Sequence, residues 1–232
     1  MLVSNYDILL HDVNALIPKA QVATGTAVSA EGVLKFTDKL SISGVTKGLG
    51  KKVAFSYDSK TAKVEASQLV VEKLLALAGI PVYAKGTVDT HVLLTNLKTP
   101  EGTFSLKSTN LVTQPDEMKK LTGEALKVNI AVDTSGTFKE GKGEINAKIQ
   151  TSLGNLSLDN MVYETAKKTF KSNYALDVPD LKKLHTLIDR KLYGPLVLNG
   201  QVTKDTVVTL TGSTQTLGGK IDYILVGDDL TS

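Results

Sequence analysis

SNYALDVPDLKKLHTLIDRKLYGPLVLNGQVTKDTVVTLTGSTQTLGGKIDYILV, residues 172–226, decides the fold. It reads as a short amphipathic helix, a strand, a glycine, two strands joined by a turn, and a Leu-Gly before a last strand. The same order of events recurs upstream. Shifted by 168 residues without a gap, Ser4-Asn5-Tyr6 meets Ser172-Asn173-Tyr174, and Asp12 and Leu16 meet Asp180 and Leu184. Gly32, Gly44 and Thr46 meet Gly200, Gly212 and Thr214, and Leu49-Gly50 and Lys52 meet Leu217-Gly218 and Lys220. An ungapped match of that length marks an internal repeat.

Two more diverged copies lie between. One has Leu69 to Leu77 as its helix, then Gly86 and Gly102. The other has Pro115-Asp116-Glu117-Met118-Lys119-Lys120-Leu121, like Pro179-Asp180-Leu181-Lys182-Lys183-Leu184, and continues through Gly136 to Leu153-Gly154. The four copies span 4–58, 64–110, 111–163 and 172–230 and are read as one repeat-built β domain over 1–232. Gly32 to Gly50, Gly136 to Gly154 and Gly200 to Gly218 keep one interval, and Gly86 to Gly102 nearly keeps it. Fixed spacing with variable residues points to a geometric requirement, which glycine meets by reaching φ > 0 or by lacking a side chain.

Between the glycines the apolar period is two. Val128, Ile130 and Val132 alternate with Asn129, Ala131 and Asp133, and Ile145, Ala147 and Ile149 with Asn146, Lys148 and Gln150. Phe104 and Leu106 alternate with Thr103, Ser105 and Lys107, and Val53, Phe55 and Tyr57 with Ala54, Ser56 and Asp58. Each is a strand with one apolar and one polar face, the pattern of an antiparallel sheet with one wet side. Ile221 to Val226 is apolar on both sides and reads as a strand buried on both faces or covering the end of the stack. The helices are short. Pro179-Asp180 starts one, with Asp180 either capping it or sitting against the helix dipole, and Leu181, Leu184, Leu187 and Ile188 form one stripe. Val70, Leu74 and Leu77 do the same in the second copy. About three turns do not hold alone in water, so these helices pack on the end of the sheet's apolar face.

Composition removes several function classes. Among 232 residues there is no cysteine, so there are no disulfides, thiolate metal sites or Cys nucleophiles. Net charge is +3 and the lysines are scattered, so nucleic acid is not an expected partner. No apolar run approaches the roughly 18 residues of a membrane span, and Met1 to Asn5 shows no signal peptide. His11, His91 and His185 have no metal-ligand spacing around them and read as surface or cap histidines. Asp58 and Asp228-Asp229 read as turn and tail residues. Gly141-Lys142-Gly143-Glu144 is a turn, not a phosphate cradle, and no GxGxxG, GxxxxGK[ST] or GxSxG motif stands in the right context. No enzyme, catalytic residue, metal or cofactor is expected.

The pattern of Leu-rich helix, strand ending in x-G-x-[VTF], two alternating strands and Leu-Gly resembles the AsmA-like family of bacterial envelope proteins. Leu181 to Leu230, with LVLNGQVTKDTVVTLTG and TLGGKIDYILVGDDL, carries most of the likeness, and 64–160 fits more loosely. The resemblance implies a long, curved, taco-like antiparallel sheet whose apolar groove moves phospholipid between inner and outer membranes. It implies a periplasmic, inner-membrane-anchored parent with a role in outer-membrane biogenesis. No anchor is seen here, as expected of an internal or C-terminal piece, and membrane contact falls to other parts of the parent.

The fold expected is therefore mainly β with short α-helices, as a curved sheet or groove, with a closed β-sandwich as the alternative. Periodicity does not separate groove from core, since both need one apolar face; the resemblance favours the groove. Its candidate lining is Phe55, Leu106, Val128, Ile130, Val132, Ile145, Ile149, Val208, Leu210, Ile221 and Tyr223. The partner expected is phospholipid acyl chains. Bringing an acyl chain of about fifteen carbons through water costs roughly 12 kcal/mol, at about 0.8 kcal/mol per CH₂, which an apolar trough offsets. A strand of about seven residues is roughly 23 Å long, a workable width for a sheet that curls at glycines. The other reading is a structural or assembly module that docks an envelope protein along a sheet edge.

Overall fold

The alternating segments become strands, and the strands pair in the order in which the chain makes them. A computed structural model describes residues 1–11, 27–96, 99, 101–185, 192–216 and 219–227. The expected first helix, with Asp12 and Leu16, and the residues Leu187, Ile188, Leu217, Gly218 and Asp228-Asp229 lie outside the described residues. The chain divides into two compact units, Met1–Asn129 and Ile130–Ser232.

In the first unit, β1 (Leu2–Leu10), β2 (Val28–Phe36), β3 (Leu40–Lys47), β4 (Gly50–Tyr57) and β5 (Ala62–Val70) form an antiparallel meander. α1 (Val71–Leu77) and the short β6 (Ala84–Lys85) follow. β7 (Thr87–Asn96) pairs with β5, β8 (Glu101–Thr113) pairs with β7 and β6, and α2 (Pro115–Thr122) comes last. In the second unit, β9 (Asn129–Lys139), β10 (Lys142–Thr151), β11 (Asn155–Glu164), β12 (Thr169–Val178), β13 (Leu196–Lys204), β14 (Val208–Thr214) and β15 (Ile221–Gly227) pair in the same way. Each unit is thus mainly β, with an antiparallel sheet not closed into a barrel.

The turns follow local chemistry. Glu140 (φ 51°) and Gly141 (φ 77°) make a two-residue hairpin between Lys139 and Lys142. Asp58 closes the β4–β5 turn by accepting from the backbone N–H of Lys60 (2.7 Å) and Thr61 (2.8 Å). Those bonds, with the Thr61 hydroxyl, hold its carboxyl below the usual range. Two ladders slip where a non-glycine residue takes positive φ: Gln68 in β5 and Asn160 in β11. In each case a neighbouring strand's side chain accepts the freed N–H, Asp89 for Gln68 at 2.8 Å and Asn146 for Asn160 at 2.9 Å.

The helices depart from the sequence reading in three ways. Leu69 and Val70 belong to β5, because Leu69 is buried opposite Gly50 and Val88 and the Val70 N–H donates to Leu49 O; α1 starts only at Val71. α1 does cover the apolar face: Val71 and Leu74 pack on the cluster Val53, Ala66, Leu69 and Val88. α2 does not, since none of its residues is buried and Leu121 is 64% exposed. Of the two roles open to Asp180, it takes the cap, accepting from Lys182 N–H at 3.0 Å, but over the described residues Leu181–Leu184 is a 3₁₀ turn. Leu181 is its buried anchor.

The run Ile221 to Val226 is also corrected. It is the last strand of its ladder, paired on one side with β14, and apart from the half-buried Tyr223 its side chains are exposed instead of covered on both faces. Ile224 is 71% and Val226 66% exposed.

Candidate functional site

Opposed residues in an antiparallel ladder share a face, so the register sorts side chains directly. In the first unit one row across the strands is Ile8, Ala30, Thr46, Val53, Ala66, Thr90 and Leu106. The row below it is Tyr6, Gly32, Gly44, Phe55, Val64, Val92 and Phe104. The other face carries Asp7, Glu31, Val45, Ala54, Glu65, His91 and Ser105. In the second unit Val132, Ile149, Leu156, Leu176 and Leu198 share a row, and Asp133, Lys148, Ser157, Ala175 and Asn199 lie on the opposite face. Each unit is one sheet with one apolar and one polar face.

The candidate lining residues fall on the apolar faces. Phe55 and Leu106 are on that of the first unit. Ile130, Val132, Ile145 and Ile149 sit side by side on β9 and β10 of the second, and Val208, Leu210, Ile221 and Tyr223 on β14 and β15. Val128 is the exception: it precedes β9, is buried, and belongs to the first unit by its bonds to Thr113. The strand positions are half-buried, apart from the exposed Ile221, and do not form a sealed core. Among the described residues only nine hydrophobic side chains are buried, six in the first unit and three in the second. A β-sandwich buries the inner position of nearly every strand, so this burial speaks for an open face.

The glycines shape that face. Gly32 stands opposite Gly44, and Gly200 opposite Gly212. A Cβ on Gly32 would lie 2.0 Å from Ser43 O and 2.6 Å from Gly44 Cα; one on Gly200 would lie 1.9 Å from Thr211 O. Facing residues of an ordinary ladder keep their Cα atoms about 4.5–5.5 Å apart. The sheet is therefore creased toward its apolar side at each pair. Aromatic rings lie across the creases. The Tyr6 hydroxyl donates to Ser43 O at 3.2 Å, and the Phe55 ring lies 3.2 Å from where a Gly44 Cβ would be. In the second unit Tyr174 and Tyr223, from strands either side of the glycine pair, join hydroxyl to hydroxyl above it. Burial first, and then the bond to Tyr223, raises the Tyr174 phenol well above its ordinary value.

The sequence repeat is thus exact in register. Tyr6–Gly32–Gly44–Phe55 becomes Tyr174–Gly200–Gly212–Tyr223 at an offset of 168 residues. Sequence reasoning found the glycines but tied Gly32 to Gly50, whereas its spatial mate is Gly44. The signal was present: an aromatic residue recurs at both flanks of the pair.

The polar faces hold exposed ion pairs, Lys47–Glu31 at 2.9 Å, Lys63–Glu65 at 2.8 Å and Lys142–Glu164 at 3.2 Å. His91 also reaches Glu65 (3.4 Å), as a surface histidine would, and His185 stacks edge-on to Tyr193. Hydrogen bonds from Lys63 hold the Glu65 carboxyl below its usual range, and those from Lys167 and Lys142 do so for Glu164. Three dips of about 480, 320 and 430 Å³ also lie on polar faces, between side chains such as Glu31 and Lys63, Lys148 and Asp177, or Lys52 and Asp89. Charged rims make them poor seats for an acyl chain. Among the described residues no group of three or more His, Cys, Asp or Glu could hold a metal ion, and no helix is long and apolar enough to cross a membrane.

Fold and face together define a class: in each unit an open antiparallel sheet, laid down in chain order, with one apolar side creased at a glycine pair. No protein-family model matches the chain, and no curated protein or solved structure gives a significant match.

Proposed function

We propose that this chain is a non-catalytic segment of an AsmA-like periplasmic protein, whose apolar β-face accepts phospholipid acyl chains moving between inner and outer membranes. The observation that carries the reading is the half-buried state of the apolar rows. Ile130, Val132, Ile145 and Ile149 are neither sealed in a core nor fully wet, so acyl chains can take up the surface they leave exposed. Inward creasing at Gly200–Gly212 supports a trough over a flat surface. Contact with the acyl chain is by dispersion and loss of hydration alone, which suits an unselective carrier. The parent would be held at the inner membrane by a part not present here.

A photo-crosslinking residue at Ile130, with Lys148 as control, tests this in cells that make the protein. Phospholipid captured at Ile130 and not at Lys148 is the expected result. Capture of neither lipid nor protein at Ile130 would refute the groove. The second reading, a structural module docking an envelope protein, is favoured by the exposed apolar strands β1 and β15.

A further inference from the structure

We infer that Lys204 binds the phosphate of a phospholipid whose acyl chains lie along the apolar face of the second unit. The inference rests on the reading of that face as an acyl-chain seat, and adds where the headgroup sits and what holds it. The register singles Lys204 out. Phe138, Gly143, Tyr163, Phe170, Lys204 and Val208 form one row across β9 to β14, at the hairpin end of the strands. The row is on the apolar face, because Gly143 shares the parity of Ile145, Phe170 that of Tyr174 and Lys204 that of Gly200. Lys204 is the one Lys, Arg, His, Asp or Glu that the described strands of this unit place there.

The internal repeat shows what stands at this position otherwise. At the 168-residue offset Leu2, Ser4, Leu34, Leu40 and Ile42 keep their character as Phe170, Ser172, Val202, Val208 and Leu210. Phe36, paired with Leu2 and Leu40, becomes Lys204, paired with Phe170 and Val208. A charge thus enters one position of a patch that is otherwise the same in both units. Lys204 is half-buried; a lysine on such a surface covers its stem and turns the ammonium to the water at the edge. The place suits a headgroup. From Lys204 to Leu196, β13 follows the apolar face for about 26 Å, at about 3.3 Å per residue. One leaflet's acyl layer is about 15 Å, half of a bilayer core of about 30 Å. Acyl chains laid along the face from Lys204 therefore fit within it and reach the crease at Gly200, while glycerol and phosphate stay at the wet edge. Charge at that edge favours an anion. Glu164 is engaged by Lys142 (3.2 Å) and Lys167 (2.8 Å), and Lys167 also draws on Asp205, so these two acids are matched by lysine. A phosphodiester at Lys204 gains a charge-assisted contact that a neutral lipid of the same chains does not.

The test compares two fluorescent lipids with the same acyl chains, a phosphatidylglycerol and a diacylglycerol, titrated against the purified chain. The wild type should bind the phosphatidylglycerol more tightly. Lys204→Met, which keeps an unbranched stem and removes the charge, should weaken phosphatidylglycerol binding about tenfold and leave diacylglycerol binding and the melting curve unchanged. Lys204→Arg should restore the preference. Equal weakening of both lipids in Lys204→Met, or no weakening of either, would overturn the inference. In the second of these cases the trough itself would stand, since both lipids still bind. A wild type that binds neither lipid would remove the trough and the phosphate seat together.

Discussion

At Gly200 a single hydrogen atom decides whether the second unit's sheet can crease. Alanine there would press its methyl onto Thr211 O, which is backbone and held by the β13–β14 ladder. Gly200→Ala should cost about 3 kcal/mol, the upper end of overpacking penalties, read as a lower urea midpoint at constant slope. Tyr174 acts at the same crease. Tyr174→Phe removes one hydroxyl of the Tyr174–Tyr223 pair and should cost about 1 kcal/mol. It should also alter the alkaline limb. The folded phenol titrates above its ordinary value of 10.0, so the unfolded chain loses its proton first as pH rises. The stabilisation is whole below that value and declines above it. Urea titrations at stepped alkaline pH should show a shallower decline in the phenylalanine variant.

Among the helical elements, burial and not propensity decides which matter. Leu74 of α1 packs on Val53, Ala66, Leu69 and Val88, so Leu74→Ala should destabilise by about 2 kcal/mol. Leu121 of α2 faces water, and Leu121→Ala should stay within about 0.5 kcal/mol of wild type; thermal melts of both variants decide this. These helices also mark the limit of what was legible in the sequence. Strands such as Ile145–Ala147–Ile149 were readable because period two survives any tertiary context that wets one face. Leu69 was misassigned because a stripe that runs from a strand into a helix carries no sign of where the period changes; that point is set by the Val70–Leu49 backbone bond. The bulges at Gln68 and Asn160 were invisible for a similar reason, since each depends on an Asp or Asn of another strand. Alternation put the candidate residues other than Val128 on the apolar faces of their strands, but whether such a face is open rests on burial, which no periodicity encodes.

For the molecule as a whole, the proposed function hangs on a surface that folding leaves half-finished. Ile149→Asp, on the apolar face of β10, should reduce phospholipid recovered with the purified protein at least tenfold, the equivalent of roughly 1.4 kcal/mol. Lys148→Asp, one residue along on the opposite face, should leave recovery unchanged, with lipid extraction and mass spectrometry as the readout. The chain-ordered strand path has a kinetic meaning as well. A β-sandwich folds slowly because distant segments must meet before any contact rewards them. Here a strand's neighbour in the ladder is its neighbour in the sequence, as at Lys139 and Lys142 across a two-residue turn. A ladder of this kind can begin at whichever hairpin closes first and zip outward strand by strand, much as a linear array of repeats does. The outermost strands then join last and fray first, so β1 and β15 should be the earliest of the strands to exchange their amide hydrogens with solvent.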